Sequence, residues 1–326
     1  MHLSRFLALL TSLFLLWGCA RAPATTQVPL RIGYSAWPGF LAGVIAADKG
    51  YFEQEGVQVS LEFSDNTTTQ IADFTAGKLD GAFLALGSVV SLTVQNPQAA
   101  VVLISDESQG ADAVVAKPGI PDVPSLKGKR IGTNTGGFGE LFVTQMLEMN
   151  GLTREDVTLV RVIAEDVPAA LGENTIDAGS SWEPYISQAV AQGAQVIFDS
   201  GSTPGLIPDG LVVSADVWKN RPKELEAFIR AWFRAVDDWL ADPAAGSALI
   251  AEKLGIPIEE ASLEGIKLLT LKDNLAAFVP AQSPTSIHYT AKLYSDFFIR
   301  TGNLSRPVDL NVLLNDRFVK AAVPTP

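Results

Sequence analysis

The stretch Thr133–Gly139 reads TNTGGFG. It joins an apolar run ending in Arg130-Ile131-Gly132 to a helical segment, Glu140–Met149. A strand, a glycine-rich loop and a helix in that order expose backbone N–H groups at a helix N-terminus, where a small polar or anionic group can dock. Thr133, Asn134 and Thr135 add side-chain hydrogen-bonding groups at the same place, and glycines such as Gly136 allow close backbone approach. The pattern serves equally as a capped turn whose glycines are needed only for geometry. The residue after Gly139 is the acid Glu140. A phosphate cradle of the P-loop kind carries a lysine there instead.

Two further clusters could do recognition chemistry. Trp37 and Phe40 are separated by Pro38-Gly39, which places them in a loop, where binding residues concentrate. Trp182-Glu183 stands at the end of an apolar run just before Pro184. Each has a plainer alternative. The aromatics could belong to the core, Asp65 could be a turn or cap residue, and Glu183 could pair with a surface lysine. Asp106 reads as a solvated hinge residue, and His288 as structural or solvated on a C-terminal helix.

The elements that must position these groups alternate strand and helix. Leu30–Gly33 is an apolar strand, followed by a helix with Leu41, Val44 and Ile45 at helical spacing and a stop at Gly50. Val57–Phe63 alternates as a strand; Thr67 or Thr68 can cap the next helix, with Ile71 and Phe74 on one face. Leu79–Leu86 is a strand, Gly87 and Ser88 open a helix, and Ala99–Ile104 is a fully apolar strand. Ser105–Gly110 is polar and reads as a crossover. The plan repeats from Ala113, through strands at Thr158–Val162, Ile176–Gly179 and Gln195–Phe198, and Asp209–Val213 returns to the first lobe. Thereafter the chain turns helical: Pro222–Ala241, then 244–254, 258–271 and 286–301. Alternation of this kind implies parallel sheets with helices on both faces and ligand groups at the carboxyl ends of strands. Those ends hold Ser35, Trp37, Phe40, Asp65, Asn66, Leu86, Gly87 and Ser88.

The chain has 326 residues, enough for two lobes, and its net charge of −12 argues against nucleic-acid partners because nothing would neutralise phosphates. The first nineteen residues differ from the rest. A short basic start with Arg5 precedes the apolar run Leu7–Trp17, too short to span a membrane and laid out like a secretory signal. Leu16-Trp17-Gly18-Cys19 is similar to a bacterial lipobox, although Trp17 is bulky for its position. Cys19 is the only cysteine. It is therefore read as the lipidation site of a 1–19 signal peptide, with 20–28 as a flexible tether.

"KGYFEQEGVQV", "FTAGKLDGAFLALGS", "SLKGKRIGTNTGG" and "SSWEPY" stand in the order found in bacterial extracytoplasmic solute-binding proteins. The chain resembles the nitrate/sulfonate/taurine-type components of ABC importers, a group related to thiamine-pyrimidine-precursor proteins, over about residues 29–300. The resemblance implies an α/β, type II periplasmic-binding-protein fold. Residues 29–108 and 208–326 would form one lobe and 109–207 the other, with crossovers near 107–113 and 203–209. It implies capture of a small ligand by hinge closure and delivery to a membrane permease and its ATPase, from an extracytoplasmic, lipid-anchored monomer. It also implies a cleft lined by Ser35, Trp37, Phe40, Asp65, Asn66, Leu86, Gly87, Ser88, Thr133, Asn134, Thr135, Gly136, Phe138, Trp182, Glu183 and Asp209.

None of those positions is Lys, Arg or His. Small anions often recruit such a charge, although backbone N–H groups can suffice. Aromatics with carboxylates favour an amine, held by cation–π contact and ion pairing, or a stacked flat heterocycle. The ligand expected is thus amine-bearing, taurine-like or aminopyrimidine-like, with a small anion such as nitrate or bicarbonate as the alternative. A ligand-sensing module for a partner chain uses the same clamshell. An enzyme is not expected. The synthase among the thiamine-pyrimidine relatives, as the resemblance implies it, needs an active-site histidine and metal-binding cysteines; here the histidines are His2 and His288 and the cysteine is Cys19. No cofactor or metal is expected.

Overall fold

The structure, a computed structural model, describes residues 28–324. The proposed signal, Cys19 and nearly all of the tether lie outside the described residues. Eleven strands form two sheets among those described. The strands are β1 (Leu30–Tyr34), β2 (Val59–Phe63), β3 (Gly81–Ala85), β4 (Ala100–Ser108), β5 (Asp112–Ala116), β6 (Arg130–Thr133), β7 (Thr158–Arg161), β8 (Ala178–Trp182), β9 (Gln195–Asp199), β10 (Pro208–Val213) and β11 (Ile266–Leu268). The first sheet has the order β11-β4-β10-β3-β1-β2 and the second β7-β6-β8-β5-β9. In each, the early strands run parallel. One strand arriving from the other half, β10 or β5, is inserted antiparallel. The chain therefore crosses between sheets twice, at 109–111 and at 200–207.

Helices cover the sheets. Those that bear on the cleft are α1 (Thr67–Thr75), α2 (Leu86–Leu92), α3 (Phe138–Met149), α4 (Pro222–Ala241) and α5 (Ile287–Arg300). Helix α4 begins with Pro222, whose missing N–H is no loss in a first turn. It buries Leu225, Phe228, Ile229, Trp232, Val236 and Trp239 along one stripe, and full burial of a large apolar side chain contributes about 2 kcal/mol. Trp232 stacks on Phe83 at 4.4 Å between centroids, and Phe83 stacks on Phe40 at 5.5 Å. A continuous aromatic column thus runs from the core helix to the cleft.

Three local expectations are corrected. Ser105–Gly110 is not a polar crossover over its whole length: β4 continues to Ser108, because β10 and β11 pair with it on both sides through Glu107 and Asp106. The 258–271 helix is instead a 3-10 turn, Ile258–Ala261, followed by β11; a three-residue IKL strand gives no periodic signal, and its pairing with β4 decides. The cap of α1 is Asn66, whose side chain accepts from Thr69 N–H at 2.9 Å, and not Thr67 or Thr68.

Candidate functional site

The two sheets meet around an inter-lobe cavity of about 40 Å³ that opens to solvent. Its lining includes Ser35, Trp37, Phe40, Ser88, Phe138, Trp182 and Asp209, all named from the sequence. Thr67, Gln70, Phe83, Asp112 and Ile207 line it too and were not foreseen. Asn134 lines an adjoining space with Glu165, Ser180 and Ser181. The tryptophans meet across the cleft edge to face, with centroids 6.0 Å apart, and Trp182 leans in turn on Tyr185 at 4.8 Å. Trp37 and Phe40 are buried while lining the cavity, so the core and cleft readings both describe them.

The structure places the remaining predicted residues elsewhere. Asp65 is exposed, and Asn66 is committed to its cap. Leu86 is core. Gly87 packs under Tyr294 and Phe138, where a Cβ would meet a ring carbon at 2.5 Å. Glu183 lines a separate outer groove with Glu259, Glu260 and Glu264, and accepts the Ser187 amide at 3.1 Å.

The glycine-rich loop is satisfied from within. Buried Thr133 shares a 2.9 Å hydrogen bond with Ser180. Gly136, at φ 81°, donates its amide to Glu140 Oε2 at 2.7 Å and accepts from the Ser91 hydroxyl of the first lobe. Glu140 also pairs with Arg154. The acid read as the departure from a phosphate loop is thus the group that occupies one of the loop's own donors. Thr135 and Gly136 do not line the aromatic cavity.

Three buried carboxyls surround the hinge. Asp106 is fully buried, against the expectation of a solvated residue. It accepts Trp37 Nε1–H at 2.9 Å and the Ser105 hydroxyl at 2.7 Å, and the Pro38–Phe40 turn sits directly on it: a Cβ on Gly39 would lie 2.2 Å from its carboxyl. Asp209 stands opposite it on β10, and Asp112 begins β5 opposite Trp182. Burial raises all three: Asp106 to about 6, in spite of its hydrogen bonds to Ser105, Trp37 and Asp209; Asp112 to about 7; Asp209 well above the usual range, with the neighbouring Asp106 and Asp112 charges adding to the rise. Asp209 is then the neutral partner, which keeps its proton and donates the carboxyl O–H to Asp106.

The NMT1/THI5 like family pattern matches residues 37–246, well over half of the chain. The chain belongs to the NMT1/THI5 like family. Among relatives of this NMT1/THI5 like chain, a Bacillus subtilis protein named for binding aliphatic sulfonates is 26% identical over 97% of this chain and 96% of its own. A 4-amino-5-hydroxymethyl-2-methylpyrimidine phosphate synthase of Aspergillus parasiticus is 27% identical over 68% of this chain and 69% of its own. The solved structure of the alkanesulfonate-binding protein SsuA from Xanthomonas axonopodis superposes with a TM-score of 0.71 at 16% identity, covering 88% of this chain and 98% of that one. That likeness shows the fold: the two-lobed α/β periplasmic-binding architecture.

Proposed function

We propose that this chain is the solute-binding component of an ABC importer. It captures a small amine-bearing organic molecule between its lobes and delivers it to a membrane permease. The observation that carries the reading is the cavity itself: aromatic walls from both lobes, two carboxyls, and no lysine, arginine or histidine in its lining. Such a lining attracts a cation through ring faces and carboxylates and leaves a bare anion without a counter-charge. Relatives named for binding support a binding rather than a catalytic role, and His288, bonded to the Phe278 carbonyl at 3.1 Å, is not among the cavity residues. The Cys19 motif supports secretion followed by lipid anchoring outside the cytoplasm. Mass spectrometry of solute carried through native purification tests the function. An amine released on denaturation is expected; an inorganic anion released instead would replace the ligand class. Membrane association that survives Cys19→Ser would remove the anchor.

A further inference from the structure

Two independent features of the cavity lack a complement among the described residues. The first is charge. Asp112 and Asp209 line the cavity and are buried, one at the head of the strand after the first crossover, the other in the strand after the second. The titratable groups packed around them are Asp106, Glu107 and Tyr294; the last donates its hydroxyl to the Leu206 carbonyl at 2.9 Å. Glu107 is taken by the Gly205 amide, and Lys267, opposite Glu107 on β11, is exposed. None of these supplies a counter-charge.

The second is an orphan acceptor. Gln70 lines the same cavity at 1% exposure. Its Nε2 donates to the Phe83 carbonyl at 3.2 Å, and its Oε1 has no hydrogen-bond partner among the described residues. A buried acceptor left unmade carries its full desolvation penalty, so its presence in a cavity wall calls for an explanation. The acceptor and the acids ask for the same complement: a cationic nitrogen plus a second N–H donor.

We propose that the solute's cationic nitrogen seats on Asp112 and Asp209, that a second donor reaches Gln70 Oε1, and that capture expels protons held by those carboxyls in the empty cleft. The proposal rests on the inter-lobe cavity being the solute site. In the exchange each acid's O–H bond breaks, its proton passes to water, and the ammonium keeps its own protons. One cation then bridges both crossovers, so neutralisation and closure occur in the same step. Because burial holds Asp112 up to about 7, its proton makes affinity rise with pH up to that range, about tenfold per unit, and the raised Asp209 adds a rise of its own.

The test uses the mature chain with 3-(aminomethyl)aniline, benzylamine, benzyl alcohol and benzenesulfonate as probes. Affinity is followed by calorimetry from pH 5.5 to 8.5 in two buffers of different ionisation heat. The amines should bind, with protons released and affinity climbing with pH through about 7. Asp112→Asn and Asp209→Asn should lose the amines and the pH slope. Gln70→Leu should keep the slope and lose the preference for 3-(aminomethyl)aniline over benzylamine. Amine binding that is flat with pH overturns the proton exchange alone. Benzenesulfonate binding in preference to the amines overturns the cation seat while leaving solute capture standing. No probe bound, with no solute carried through native purification, overturns both.

Discussion

Glu165 of the second lobe accepts from both the amide and the hydroxyl of Thr67 in the first, at 3.0 and 2.7 Å, across the mouth of the cleft. Thr67 is the first residue of α1, so the carboxylate sits on a helix N-terminus, where the exposed N–H groups and the dipole favour negative charge. Ser91 to the Gly136 carbonyl makes a second link between lobes. These bonds are lost when the lobes part. Glu165→Ala should therefore shift the population towards the open form, by roughly 1–3 kcal/mol for a charged hydrogen bond. Small-angle scattering of the unliganded variant should report a larger radius of gyration, and Glu165→Gln, which keeps an acceptor, a smaller change. Identical scattering for both variants and wild type would show that this contact does not hold the lobes together.

Asp112 should make the empty protein less stable as pH rises, the reverse of an ordinary paired carboxylate. Its pKa goes up on folding, from near 4 in the unfolded chain to about 7, so the folded state holds the extra proton between those values. Stability then falls as pH climbs through that window and is constant above it. Asp112→Asn removes the cost of a buried charge and should raise the melting temperature at pH 8, by an amount corresponding to roughly 2–4 kcal/mol, with little change at pH 4. Equal melting shifts at both pH values would rule this out.

The sequence carried the frame of this site better than its contents. Trp37, Phe40, Ser88 and Trp182 line the cavity, as their places at or beside strand ends in an alternating α/β chain predict. Glu183 lines the outer groove although its sequence neighbour Trp182 faces the cavity, because a turn of the chain sends the next side chain outward. Asp106 was misread because SDES looks like a solvated loop; its burial depends on β11 and on the 38–40 turn, both distant in sequence. Gln70 did leave a signal, since it lies four residues before Phe74 on the apolar face of α1, where a polar residue needs a reason. Asp112 likewise opens an otherwise apolar strand.

Glu140 should matter for the loop rather than for the solute. Its side chain is nearly fully buried, holds the Gly136 amide at 2.7 Å and neutralises a partly exposed Arg154. Glu140→Ala leaves both without a partner. It should lower stability by about 2–4 kcal/mol, because breaking a buried pair strands what remains. Denaturant unfolding reads the effect, and Glu140→Gln, which can still accept from Gly136, should lie between the two. A Glu140→Ala protein as stable as wild type would mean that water replaces the carboxylate without cost.

Trp37 joins the two halves of the site, since its indole N–H holds Asp106 and its ring meets Trp182 and the cavity. The two roles can be separated. Trp37→Phe keeps an aromatic face and removes the donor. Asp106 then loses one of the bonds that hold its pKa down, and its titration should move to higher pH. Carboxyl-resolved NMR or infrared titration measures that shift directly. Solute affinity should fall only modestly, because the ring face is retained. Trp37→Ala also removes the ring and the contact with Trp182, and should cost affinity about two- to tenfold beyond Trp37→Phe, since an aromatic pair contributes about 0.5–1.5 kcal/mol beyond its buried area. If the two variants bind alike, the ring is not part of the solute's seat and Trp37 serves only to hold Asp106.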